Sequence, residues 1–88
     1  MAVTVHRIEV RPAAARALAK LDPPIARRVQ GAIALLAQDP YPPAARQLKG
    51  RAGLRIRAGD YRIIYSVVDD VLVVIVLAIG HRSNVYRI

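Results

Sequence analysis

The sequence predicts one small α+β domain in the order β-α-α-β-β-β, a helical hairpin packed on an antiparallel twisted sheet. Three observations carry this expectation. The chain has 88 residues, room for one hydrophobic core and no second, so residues 1–88 form a single domain. Apolar residues at helical spacing are confined to residues 14–36, and β-type runs to residues 3–10 and 53–79.

Val3-Thr4-Val5-His6-Arg7-Ile8-Glu9-Val10 alternates in part and is rich in β-branched residues, which predicts a first strand at a sheet edge. Pro12 ends it and suits the first turn of a short helix, in which Ala14, Leu18 and Leu21 fall at helical spacing. Asp22-Pro23-Pro24 offers an N-cap acceptor followed by prolines that lose no hydrogen bond at a helix start. Ile25, Val29, Ile33 and Leu36 then mark one face of a longer helix, which Asp39-Pro40-Tyr41-Pro42-Pro43 terminates.

Three strands follow, over Gly53–Arg57, Tyr61–Val68 and Val71–Ile79. Ala58-Gly59-Asp60 reads as a three-residue turn and Asp69-Asp70 as a two-residue hairpin. The run from Val71 to Leu77 is apolar on both faces and predicts a central strand with helices over one side. No repeat, low-complexity tract or coiled-coil heptad is present.

Composition narrows the function. The formal charge is +8 and the pI near 11.1, which favours a polyanionic partner, nucleic acid before membrane. Of the basic residues only Lys20 and Lys49 are lysines. Hydrophobic residues make up 55%, above the usual share of roughly 45–50%, leaving apolar surface for a partner protein. The absence of cysteine excludes disulfides and thiolate metal sites and fits a reducing compartment, with the cytoplasm as the expected location. No signal-peptide pattern opens the chain, and the run Val71–Ile79 is too short to span a bilayer as a helix. Two histidines far apart and scattered acids give no metal-ligand spacing, and no phosphate-cradling glycine loop or nucleophile elbow occurs, so no metal or other cofactor is expected.

Charge concentrates between Arg46 and Arg62, where Arg46, Lys49, Arg51, Arg55, Arg57 and Arg62 face a single acid, Asp60. In Leu54-Arg55-Ile56-Arg57 a period of two sends the apolar pair to one side of a sheet and both arginines to the other. Two guanidinium forks on a rigid strand suit a phosphate. Tyr61 and Tyr65 share a strand face with Ile63 and Val67 and are read as core, and His6 as structural or solvent-facing. Arg27 and Arg28 read as the polar face of the second helix, or as an extension of the basic surface towards ribosomal RNA.

The element order, with Leu48-Lys49-Gly50, Gly59-Asp60-Tyr61-Arg62 and Gly80-His81-Arg82 followed by Tyr86, resembles the RelE/ParE toxin superfamily of bacterial type II toxin–antitoxin systems, its RelE branch the better match. The resemblance spans nearly the whole chain. It implies a RelE-like fold and an endoribonuclease that needs no metal, cleaves messenger RNA in the ribosomal A site by attack of the RNA's own 2′-hydroxyl, and so inhibits translation. It implies as partners the ribosome, messenger RNA and an acidic RelB-like antitoxin that wraps the toxin and silences it, with the oligomeric state of that complex left open and no membrane involved. Carried over by position, it implies that Arg55, Arg57, Arg62, Arg82 and Tyr86 form the site; Lys49 and Arg51, in a loop beside the strand, read as residues that steer RNA rather than react with it.

Cleavage by a 2′-hydroxyl needs a base, charge stabilisation at the phosphate and help for the leaving 5′-oxygen. Arginines supply the second, and Tyr86 could stack on a base or engage the departing group. Several family members carry lysines where this chain has Arg55 and Arg57, and arginine does not deprotonate in proteins. Either His81 then acts as the base, or the ribosome orients the RNA and the arginines act by electrostatics alone. Two other readings share the fold or the basic patch: a ParE-type poison of DNA gyrase without nuclease activity, and a non-catalytic RNA-binding module.

Overall fold

The computed structural model describes residues 5–81. Strand β1 (Arg7–Val10) leads into helices α1 (Pro12–Ala19) and α2 (Pro23–Gln38), followed by β2 (Arg46–Gln47), β3 (Leu54–Ala58), β4 (Tyr61–Val68) and β5 (Val73–His81). The five strands form one sheet in the order β1-β5-β4-β3-β2. The expected α+β hairpin-on-sheet architecture is present, with β5 between two neighbours and β1 at an edge. The sheet is antiparallel except that β1 runs parallel to β5.

Several boundaries differ from the sequence reading. Among the described residues the first strand starts at Arg7, Val3 and Thr4 of the expected strand lying outside them; the His6 N–H is drawn instead to Ala37 O at 2.7 Å, tying the chain to the end of α2. Asp22 occupies the N-cap of α2 but makes no side-chain cap bond; Pro24 at N2 has no N–H to offer it. Ala58 pairs with Tyr61, so the β3–β4 turn has two central residues rather than three, Gly59 supplying the positive φ of 63° at the first. The β4–β5 connection is longer than the expected Asp69-Asp70 pair. Val68 pairs with Val73, and a 3-10 turn over Asp69–Val71 is closed by Leu72 at φ 54°. With no glycine available for a tight hairpin turn, the left-handed residue is a leucine, at a cost of about 1–2 kcal/mol.

The core lies between the helices and one face of the sheet. Ala14, Val29, Ile33 and Leu36 meet Ile56, Ile63, Tyr65, Val74, Val76 and Ile79. A β-bulge keeps this alignment: Ile64 pairs with Ala78 but Tyr65 with Val76, so Leu77 is the extra residue. Ile64 and Ala78 pack with Leu48 and Leu77 in a second, smaller cluster. Tyr65 is fully buried and its hydroxyl donates to Pro40 O at 2.7 Å, as a buried phenol requires. His6 is buried too, with Nε2 3.1 Å from Asp69 Oδ1. Asp69 Oδ2 accepts the Tyr41 hydroxyl at 2.6 Å, so this network joins the start of β1, the loop after α2 and the β4–β5 turn. The hydrogen bonds from Tyr41 and His6 hold the Asp69 carboxyl below its usual range.

Candidate nucleic-acid interface

Register places the arginines. Residues opposite each other in an antiparallel pair share a face, and Arg46 opposes Arg55 while Arg57 opposes Arg62. Leu54, Ile56 and Ala58 pack towards the helix-side core, so Arg55 and Arg57 project from the other side, joined there by Arg46 and Arg62. Four guanidinium stems thus rise from three adjacent strands. The strand spacing is roughly 4.8 Å and alternate residues along a strand lie about 6.8 Å apart, a grid matched to a phosphate and its neighbours.

The surroundings keep Arg55 and Arg57 available to an anion. Arg57 is exposed and Arg55 half-buried, and neither forms an ion pair among the described residues. Ala44, Arg46, Arg55 and Arg57 line a shallow cleft. Arg46 Nη1 donates to Pro43 O at 2.9 Å and to Ala45 O at 3.0 Å, which anchors one edge of its guanidinium. Next to the cleft, Arg57, Gly59, Asp60 and Arg62 line a smaller recess at the β3–β4 turn.

Lys49 and Arg51 are exposed on the loop between β2 and β3. Leu48 N–H donates to Gly53 O at 3.1 Å, closing that loop at its base. Gly53, at φ 123°, allows the close approach: a Cβ there would stand 3.2 Å from Leu48 Cδ1 and 3.3 Å from Tyr65 O. Leu48 packs with Ile64 and Ala78, on the arginine side of the sheet, so the loop carrying Lys49 and Arg51 borders the basic face.

His81 stands elsewhere. It opposes Tyr61, whereas Arg62 opposes Gly80, so the imidazole leaves the sheet on the helix side and the arginines on the other. Its ring meets Tyr61 edge-on, with centroids 5.7 Å apart and planes at 87°. The structure therefore brings Arg55, Arg57 and Arg62 together and does not bring His81 to them. Arg82 and Tyr86 lie outside the described residues. Arg46 is the member that the sequence reading counted as charge but did not assign to the site; a two-residue strand has no periodicity to reveal its face. Among the described residues no cluster of three His, Cys, Asp or Glu could hold a metal ion, and no helix is long and apolar enough to cross a membrane.

Comparison with known proteins gives a consistent picture. Residues 8–86 match the family model for the ParE toxin of the type II toxin–antitoxin system parDE. The chain is 33% identical over 86 residues to the toxin RelG of Mycobacterium tuberculosis, covering 93% of this chain and 97% of the relative. Among solved structures, the toxin–antitoxin complex RelBE2 of M. tuberculosis contains a chain similar at TM-score 0.79 and 27% identity, covering 94% of this chain and 98% of that one. The archaeal RelE–RelB complex of Pyrococcus horikoshii is similar at TM-score 0.77 and 27% identity, covering 91% and 98% respectively.

Proposed function

We propose that this chain, which belongs to the RelE/ParE superfamily of type II toxins through its match to the ParE toxin family over residues 8–86, is a ribosome-dependent endoribonuclease that cuts messenger RNA in the A site. The observation that carries the reading is the shared face of Arg55, Arg57 and Arg62. In the reaction the 2′-hydroxyl gives its proton to solvent as its oxygen attacks phosphorus, negative charge builds on the non-bridging oxygens, and the bond to the 5′-oxygen breaks as that oxygen takes a proton from solvent, leaving a 2′,3′-cyclic phosphate and a 5′-hydroxyl. Guanidinium groups fixed on a rigid sheet stabilise that charge without reorganising. In this reading Arg57 and Arg62, direct register partners, share one phosphate, and Arg46 and Arg55, likewise partners, hold a flanking one. In this reading Arg82 completes the phosphate clamp, Tyr86 stacks on a base, and Lys49 and Arg51 steer the strand.

The position of His81 favours electrostatic catalysis over general-base catalysis by that residue. An imidazole on the opposite sheet face has no short path to a 2′-hydroxyl bound among the arginines. The ribosome then supplies orientation, and the arginines supply transition-state charge.

The proposed regulator is a RelB-like antitoxin, acidic so as to match the formal charge of +8 on this chain; the two structural relatives are a RelE–RelB complex and the toxin–antitoxin complex RelBE2. An open apolar groove runs between the helices, lined by Val10, Ala15, Leu18, Leu21 and Ala26, and would take an amphipathic helix. The cytoplasm, where ribosomes and messenger are found, is the proposed site of action.

A second reading, poisoning of DNA gyrase, is favoured by the match to the ParE model. Two assays separate the readings: messenger cleavage on translating ribosomes, and supercoiling by gyrase. Cleavage by the wild type that Arg57→Ala slows by about 10²–10³-fold, with supercoiling unaffected, supports the nuclease; blocked supercoiling with messenger left intact supports the gyrase poison.

A further inference from the structure

The β3–β4 turn has cations on both sides of the sheet. On one side Arg57 and Arg62 enclose the recess with Gly59 and Asp60. On the other, Arg28 of α2 comes down onto the turn itself. A Cβ added to Gly59 would lie 3.5 Å from Arg28 Nη1 and 3.8 Å from Cζ, so the guanidinium rests over bare backbone.

Helix geometry explains why this residue reaches the turn. Ile25, Val29 and Ala32 face the core, and Arg28, three residues after Ile25 and four before Ala32, lies on the flank of that stripe. Its stem can follow the edge of the helix–sheet seam while its charge stays in solvent, and Arg28 is exposed. Neither Arg28 nor Asp60 forms an ion pair among the described residues. Arg28 thus adds positive charge on the helix side of a turn whose other side already carries Arg57, and a polyanion crossing the turn meets both.

We propose that Arg28 is a further phosphodiester-binding residue, so that a bound RNA strand passes over the β3–β4 turn and one of its phosphates is held from the helix side. The inference rests on the nuclease reading above for its RNA and its strand direction, and concerns binding rather than the chemical step. That phosphate belongs to the messenger or to ribosomal RNA, which the test distinguishes.

The test uses wild type, Arg28→Ala and Arg28→Lys, each checked for folding by thermal melting. The first arm measures anisotropy of a 2′-O-methyl RNA oligonucleotide, which cannot be cut, across a salt series. The second measures cleavage on programmed ribosomes as a function of ribosome concentration. The expected result for Arg28→Ala is binding weakened several-fold and a log–log salt slope shallower by about 0.7, one phosphate contact on a single strand. Arg28→Lys should restore the slope, and the half-saturating ribosome concentration should rise far more than the saturated rate falls. An effect in both arms assigns the phosphate to the messenger; an effect on ribosomes alone assigns it to ribosomal RNA. Unchanged affinity and slope in both arms, with a folded Arg28→Ala protein, would overturn the inference. Arg28-dependent oligonucleotide binding by a wild type that cuts no messenger would keep the inference and remove the nuclease reading.

Discussion

Arg57 on β3 and Arg62 on β4 are direct register partners, placing two guanidinium stems side by side on the sheet face away from the helices. Strand pairing holds them there, since both lie within the ladder rather than in a loop. If they clamp one phosphate, they act as a unit. Arg57→Ala and Arg62→Ala should each slow single-turnover cleavage by about 10²–10³-fold. The double variant should lose far less than the product of the two, because each single change already spoils the shared contact. Fully multiplicative losses would mean separate phosphates.

His81→Ala should retain most of the wild-type single-turnover rate and the same pH profile, because the imidazole and the arginines occupy opposite faces. Loss of a pH transition in the variant, with ribosome binding intact, would identify His81 as the base after all and require the chain end to reorganise around substrate.

Tyr65 gives the fold an alkaline limit. Burial, then the nearby Asp39 and Tyr41, push its phenol from 10.0 up to about 12. A raised pKa means the folded state keeps its proton longer than the unfolded chain. The resulting stability is complete below pH 10 and is lost as pH rises towards about 12. Tyr65→Phe should make that alkaline decline shallower in urea melts. It should also cost about 1 kcal/mol at neutral pH, by leaving Pro40 O without its donor.

Gly53→Ala should destabilise by about 1–3 kcal/mol. The substituted residue would have to hold φ 123° with its Cβ against Leu48 Cδ1 and Tyr65 O. Chemical denaturation provides the measurement; an unchanged midpoint would show that the Leu48–Gly53 loop relaxes freely.

Much of this architecture was legible in the sequence because it rests on periodicity. The spacing of Val29, Ile33 and Leu36, the apolar run of β5 and the alternation Leu54-Arg55-Ile56-Arg57 each have a physical reading that the packing repeats. What was not legible depends on pairing between distant segments. The parallel seat of β1 on β5, the bulge at Leu77, the four-residue β4–β5 connection ending at Leu72 and the two-residue β2 leave no local signature. The same limit applied to the site. The alternation of their own strand is enough to put Arg55 and Arg57 on one face, but Arg46 joins them, and His81 parts from them, only through register. His6 showed no partner motif because its partner, Asp69, is distant in the chain.

The most direct test of the central claim is the fate of messenger on ribosomes stalled with a defined codon in the A site, read by mapping the new 5′ end and its chemistry. The account predicts a cut within that codon by wild-type protein, bearing a 5′-hydroxyl opposite a 2′,3′-cyclic phosphate, and its slowing by about 10²–10³-fold in Arg57→Ala. Intact messenger under the same conditions, together with gyrase whose supercoiling the protein blocks, would contradict it.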